Sequence, residues 1–281
     1  MIYFITVNYY SSELIDNLIS SIPQNSKVSY RLLIINNSFE DKLINRFSSD
    51  SVIVIESNKN LGFGSACNLG LDWVYSQDPC AIVWLINPDA YLLENSIEKV
   101  IRLLDQYPEI SIAGTIIYTE DGDIWFAGGD FNSKTGDVTS KQFLCSETNI
   151  KYFISEWVSG CSLIVNLRRF KSCPQFDPAY FLYYEDFDFC KRYGNQDHLV
   201  VVTPHISVVH NPSSITNKNI INKLKYSTSS YLLTLQKYTS SSTFLIRFIR
   251  IFLYAVILLP IKPREALGKL YGIFLYLRKR I

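Results

Sequence analysis

Over the first 107 residues, short runs of β-branched and aliphatic residues alternate with polar stretches of helical period, the pattern of a parallel sheet with crossover helices. Residues 2–7, 31–35, 52–55 and 81–86 are predicted strands. Each leads into a predicted helix. The first opens at Ser11 or Ser12, where a hydroxyl can cap and Glu13 suits the positive helix end. The second lies near Glu40, the third carries Ala66, Leu69 and Trp73 on one face, and the fourth runs from about Glu94 to Tyr107 before Pro108 stops it. Beyond Pro108 the rhythm becomes strands at residues 111–118, 124–131, 152–158 and 162–165, split by turns such as Asp121-Gly122 and Thr135-Gly136. The second half therefore reads as α+β. Residues 217–238 are a predicted helix with Ile220, Leu224, Tyr231 and Leu235 on one face. No internal repeat is visible.

Composition adds bounds. With 281 residues, 48% of them hydrophobic and 19% charged, the chain can bury a full core, which excludes a disordered protein. A net charge of +1 argues against wholesale nucleic-acid binding. The charge is uneven, however: residues 244–281 hold eight Lys and Arg against one Glu, while the rest holds 19 bases against 25 acids. A mildly acidic domain (residues 1–240) with a basic, apolar tail (residues 241–281) points to an anionic membrane surface. Residues 251–259 are nine apolar positions closed by Pro260, short of the roughly 20 that cross a bilayer. Residues 264–280 interleave Leu267, Leu270, Tyr271, Phe274 and Leu277 with bases, as a helix lying in the interface would. The alternative is a helix pair packed on the domain or on a second subunit, and a homo-oligomer is allowed for. The opening MIYFITVNYY reads as a first strand and not as a signal peptide. Cys67, Cys80, Cys145, Cys161, Cys173 and Cys190 form no C-x-x-C pair, so reduced thiols and a cytoplasmic chain on the inner face of the membrane are expected.

Candidate chemistry follows from the sheet. Open parallel sheets bind ligands beyond the carboxyl ends of their strands. Those ends are Asn8-Tyr9-Tyr10, Asn36-Asn37, Asn58 with Asn60, and Asn87-Pro88-Asp89. Asparagine is also a common turn residue, but four polar ends in succession outline a site. A dinucleotide fold is excluded because the first strand-to-helix turn has no glycine. Gly62-Phe63-Gly64 after the third strand reads as a tight turn. Asp89, held by Pro88 at the mouth of the sheet, suits a hard divalent cation that shares the substrate's phosphates. Glu185, Asp186 and Asp188 follow a run of aromatic residues from Phe176, and a carboxylate there can take a proton from an attacking hydroxyl while aromatic faces stack on sugars. His205 and His210 flank the run Ile206-Ser207-Val208-Val209; each is a hydrogen-bonded strand end or, alternatively, a metal ligand.

Seven motifs in order (VNYY, IINNSFED, SNKNLGFGSACNLGL, LINPDA, WVSGCSLIVNLRRF, FDPAYFLYYEDFDFCKR and VVHNPSS) resemble the family 2 glycosyltransferases with the GT-A fold, over residues 2–240. The branch they most resemble is the bacterial rhamnosyltransferase-like enzymes of surface polysaccharide assembly. The resemblance implies inverting transfer from a nucleotide-diphosphate sugar to a hydroxyl of a saccharide or lipid-linked acceptor. It puts Asp89 and His210 on Mg²⁺ or Mn²⁺, makes Asp186 the base and sets Glu185 beside it on the acceptor. Asn8, Tyr9, Asn36, Asn37, Asn60, Asn68 and Asp89 are then expected around the donor, and Trp157, Gly160, Tyr184, Glu185 and Asp188 around the acceptor. Two departures stand out. Asn36 replaces the Asp that contacts the nucleotide base, and Ser229-Ser230 replace an Arg-Asn pair of the late helix. The alternatives are an inactive nucleotide- or glycan-binding subunit and a membrane scaffold.

Overall fold

The four early apolar runs become adjacent parallel strands in the computed structural model, which describes residues 1–23, 28–141, 150–211 and 219–278. They are β1 (Ile2–Asn8), β2 (Tyr30–Asn36), β3 (Val52–Glu56) and β4 (Ile82–Ile86). Every residue of β1 and β4 is buried, as expected of parallel strands covered on both faces. The crossovers are α1 (Ser12–Ser21), a 3₁₀ turn at Lys42–Phe47 and α2 (Phe63–Gln77). The helix expected near Glu40 is only that turn because a single residue of it, Ile44, is buried, too little apolar surface to hold a longer amphipathic helix. The Ser11 hydroxyl does not cap α1; it donates to Asn8 Oδ1 at 3.0 Å.

After β4 come β5 (Ala90–Leu92), α3 (Ser96–Gln106), β6 (Ile110–Tyr118), β7 (Ile124–Phe126), β8 (Gly129–Asn132), β9 (Asp137–Ser140), β10 (Phe153–Ile154), β11 (Ser162–Asn166), α4 (Glu185–Gly194) and β12 (Leu199–His210). The main sheet runs β10-β12-β6-β11-β4-β1-β2-β3, with β5 added to β12 and β7 to β6. β11 is antiparallel to β4 and β6, and β10 and β5 are antiparallel to β12 and β7 to β6, while β6 and β12 pair in parallel. The expected strand at residues 124–131 is broken into β7 and β8. Gly128 has φ +108°, and Trp157 packs so closely on Gly129 that a Cβ there would lie 2.0 Å from the indole nitrogen. The chain thereby leaves the main sheet for the β8-β9 hairpin. Of the strand expected at residues 152–158, only β10 pairs regularly, because Trp157 turns away to bridge Gly129.

Three helices close the described chain: α5 (Ile220–Tyr238), α6 (Ser241–Leu258) and α7 (Pro263–Arg278). Asn217, where the sequence starts α5, and Cys145 lie outside the described residues; the five described cysteines are free thiols. Helix α7 packs on α5 through Gly268 and Gly272. A Cβ at Gly272 would come 2.6 Å from the Lys225 carbonyl oxygen, so only glycine lets the two helices approach this closely. Leu232 and Leu235 of α5 and Ile273 and Tyr276 of α7 form a small second core. Helix α6 runs antiparallel beside α7, with Phe244 5.9 Å from Tyr276 and Lys269 over Tyr254. Its other side is bare, with Ile246, Leu253 and Ile257 each more than half exposed. The sequence reading of a run too short to cross a bilayer is corrected here. The helix is 18 residues long, 11% of it is buried, and by length and composition alone it suffices to cross a membrane.

Candidate active site

The carboxyl ends of the parallel strands are tied into a polar row. Asn8, the last residue of β1, donates to Asn36 Oδ1 at 3.0 Å, and Asn36 donates to Glu56 Oε2 at 2.9 Å. These three residues are in register across β1, β2 and β3. Asn8 and Asn36 were expected at the donor, yet both are completely buried and their amides are taken up by neighbours, so they shape the loops instead of facing a ligand. Glu56, which the sequence reading passed over, supplies an exposed carboxylate there. Its signal is its position as the last residue of the third strand. Asn37 is buried too, donating to Asn60 Oδ1 at 3.0 Å and accepting from the Leu61 N–H at 2.8 Å. Tyr9 and Asn60 remain exposed at this edge. Asn68 is a staple: its amide donates to the Phe176 carbonyl and accepts from the Phe176 N–H, which ties α2 to a segment 108 residues away.

At the end of β4, the turn Asn87-Pro88-Asp89 leads into β5, and antiparallel pairing of β5 with β12 sets Ala90 opposite His210. Asp89 Oδ1 and His210 Nε2 are therefore 3.1 Å apart, both side chains almost fully buried. Trp125 packs edge-on against the His210 ring at 4.8 Å, a neighbour that the sequence did not mark. His210 Nδ1 has no partner among the described residues. His205, by contrast, is exposed on the bulge of β12. Among the described residues no group of three or more metal-binding side chains gathers. Two ligands suffice where a substrate diphosphate completes the shell. Adjacent corners of an octahedron with ligands at about 2.1 Å are about 3 Å apart, which the Asp89–His210 spacing matches.

The second carboxylate comes from α4. Tyr183 and Tyr184 are consecutive non-glycine residues with φ of 68° and 65°, a strained pair that turns the chain into the helix. The surroundings hold it: the Phe63 N–H donates to the Phe181 carbonyl at 3.0 Å, and the Ser230 hydroxyl donates to the Leu182 carbonyl at 2.9 Å. Gly62, with φ +81°, allows the first contact, since a Cβ there would sit 2.0 Å from the Phe181 oxygen. Asp186, partly exposed, accepts from the Gly160 N–H at 2.9 Å and from the Phe187 N–H at 2.8 Å. Burial raises its carboxyl above the ordinary range, against the pull of those N–H groups. Burial, and then the Asp186 charge, raises Glu185 as well. Glu185 is not on an open acceptor face as expected: it is 5% exposed, packed near Gly64 of α2, and its Oε2 has no partner among the described residues.

The two carboxylate centres meet at the start of β11. Gly160 bonds Asp186, the Cys161 carbonyl accepts from the Asn87 N–H at 3.0 Å, and the charges of Asp89 and Asp186 add to burial in raising the Cys161 thiol. Gly160 is buried and works as this hinge, not as an acceptor contact. Trp157 is partly exposed, set between Phe126 and Phe187, while Tyr184 packs at a tilt against Tyr231 with centroids 5.5 Å apart. Asp188 is a further correction. It is completely buried and accepts from Arg192 at 2.7 Å, Lys237 at 2.6 Å and Tyr238 at 2.8 Å, so it joins α4 to α5. The aromatic run is mostly core for the same reason: Phe176, Tyr180, Phe187 and Phe189 are all at most 1% exposed.

Because Glu185 has a raised proton affinity in the folded chain, the folded state holds a proton that the unfolded state releases above about pH 4.5. Stability therefore falls as pH rises through the raised value, and a tenfold change in proton affinity is worth about 1.4 kcal/mol. Glu185→Gln should melt close to the unaltered protein at pH 5 and progressively above it toward pH 9. Parallel melting curves across that range would place the Glu185 carboxyl in water.

Residues 3–170 match the family described as Glycosyl transferase family 2. The low-salt glycan biosynthesis hexosyltransferase Agl10 of Haloferax volcanii is 24% identical over 212 residues, 74% of this chain and 66% of that protein, so the chain spans a little under two thirds of its relative. The fold is similar to the crystal structure of GalNAc-T7 with UDP, GalNAc and Mn²⁺, with a TM-score of 0.57, 12% identity and coverage of 82% of this chain and 47% of that one. That likeness speaks for the fold, a mostly parallel α/β sheet of GT-A type with a helical C-terminal region. With a matched span that covers more than half its length, the chain belongs to glycosyl transferase family 2.

Proposed function

We propose that the chain is a metal-dependent, inverting glycosyltransferase that moves a sugar from a nucleotide-diphosphate donor to a hydroxyl of a saccharide or lipid-linked saccharide in surface polysaccharide synthesis. The observation that carries this reading is the meeting of Asp89 and Asp186 on either side of the Gly160-Cys161 turn. Asp186 takes the proton of the acceptor hydroxyl while that oxygen bonds to the anomeric carbon, and the bond to the nucleotide diphosphate breaks on the opposite face. Its raised proton affinity makes it a stronger base than a surface carboxylate. Asp89 and His210 would hold Mg²⁺ or Mn²⁺, which when bound neutralises the leaving diphosphate.

The test is release of nucleoside diphosphate from a panel of sugar nucleotides, with and without Mn²⁺. Asp89→Ala and His210→Ala should each weaken Mn²⁺-dependent binding of the nucleoside diphosphate about 10-fold to 100-fold, and EDTA should reproduce the loss. Activity that survives exhaustive chelation would remove the metal from this reading. No release from any donor would sink the transfer itself and favour a binding subunit.

The chain is further proposed to work peripherally on the inner, anionic face of the membrane. Helix α6 itself carries Arg247 and Arg250, and α7 sets Lys269 over its Tyr254. Crossing the bilayer would drag those charges into hydrocarbon, whereas lying in the interface leaves them among headgroups.

A further inference from the structure

An irregularity in the sheet sets Trp125 beside the Asp89–His210 pair. Strands β7 and β12 both pair with the last residues of β6, one on each side of it. Ile117 stands opposite Phe126 and Tyr118 opposite Ile124, so Trp125 is an extra residue of β7 with no counterpart on β6. A bulge of this kind turns a side chain out of the regular alternation of its strand. Here the indole reaches the His210 ring, with centroids 4.8 Å apart and planes at 65°. The following residue, Phe126, is core at 2% exposed and packs on Trp157 at 4.8 Å.

This packing uses only part of the indole. Trp125 is partly exposed, and its N–H is neither buried nor bonded among the described residues, whereas the Trp157 N–H is enclosed against Gly129. A tryptophan that served the core alone would be covered as Phe126 is. The uncovered part stands where the reaction needs a wall. The transferred sugar is joined through its anomeric carbon to an oxygen of the diphosphate, so with the diphosphate at Asp89 and His210 the sugar ring begins directly beside those side chains. Trp125 is the aromatic ring that packs on His210 there.

We infer that Trp125 is the platform for the sugar being transferred, with its ring against the C–H face of a pyranose and its N–H free for one hydroxyl. The inference rests on the transferase reading above and deepens it by naming a specificity-determining residue. An indole suits a sugar because it offers a broad apolar surface with a single directed donor. The acceptor's sugar is the other pyranose of the reaction, but its hydroxyl has to reach Asp186, on the other side of the Gly160-Cys161 turn. Trp125 belongs to the side of Asp89 and His210.

Full-length protein would be titrated by calorimetry with UDP-glucose, GDP-mannose and dTDP-rhamnose, each beside its own nucleoside diphosphate, in Mg²⁺ and without acceptor. For the donor that binds, Trp125→Ala should weaken the sugar nucleotide about 3-fold to 10-fold, while its nucleoside diphosphate stays within about twofold. Trp125→Phe keeps a ring on His210 and should recover most of that loss. The emission lost in Trp125→Phe isolates the Trp125 signal, which should change with the sugar nucleotide and not with the nucleoside diphosphate. An equal loss for both ligands in Trp125→Ala would overturn the assignment, since Trp125 would then only hold His210 in place. Unchanged affinity for the sugar nucleotide in that variant, in a protein that still releases nucleoside diphosphate from it, would sink this inference and leave the transferase reading standing. Binding of no sugar nucleotide at all would sink both.

Discussion

Asp186→Asn should lower turnover by about 10²-fold to 10⁴-fold, the usual contribution of a general base, while donor affinity stays within a few-fold. The amide keeps the shape of the side chain at the start of α4, but it offers one oxygen where the carboxylate uses two, one for the Gly160 N–H and one for the Phe187 N–H. A modest loss of stability is therefore expected beside the chemical loss, and a pH profile separates the two. In the unaltered protein, turnover should fall on the acid side as the raised Asp186 carboxyl takes up its proton, at a pH above the ordinary aspartate value of about 4. The residual activity of the variant should lack that limb. Near-normal turnover with the acid limb intact would move the base to Glu185.

The second large effect is on stability. Asp188→Ala removes the one fully buried carboxylate that Arg192 and Lys237 have among the described residues, and also the acceptor for the Tyr238 hydroxyl. Breaking a buried pair from one side typically costs about 3–5 kcal/mol. Arg192 and Lys237 keep more than a quarter of their side-chain surface in water, and Lys237 retains Asp177, so the lower end of that range is expected. Chemical denaturation should show the unfolding free energy fall by that amount, with the acceptor KM of the remaining folded protein unchanged. Unaltered stability with a raised acceptor KM would return Asp188 to the acceptor contact that the sequence implied.

Strand positions were legible because burial on both faces leaves an unbroken apolar run, and the polar ends of those runs mark the mouth of the sheet wherever its order lies. Asp89 could be picked out on that basis, after a rigid Pro88, whereas Asp186 was set apart from Glu185 and Asp188 only by the resemblance to the family. What could not be picked out is which polar residues reach the cleft. Asn8, Asn36 and Asp188 look like ligands in a string of letters, yet each is buried because its partners, Asn36, Glu56 and Lys237, come from elements 20 to 49 residues away. A buried polar group needs partners, and partners at that distance are set by chain packing.

The chain's own order of residues thus determined the α/β class, the four parallel strands, the family motifs and the basic, apolar character of the C-terminal segment. All of these are local periods or local chemistry. Tertiary structure alone decided that β5 turns back along β12 to bring Asp89 to His210, that four rings of the aromatic run become core, and that Gly268 and Gly272 let α7 cover α5 while α6 is left bare. Each of those outcomes depends on which surface another segment buries, and a hydrophobic or polar residue carries no record of its distant partner until the chain has closed on itself.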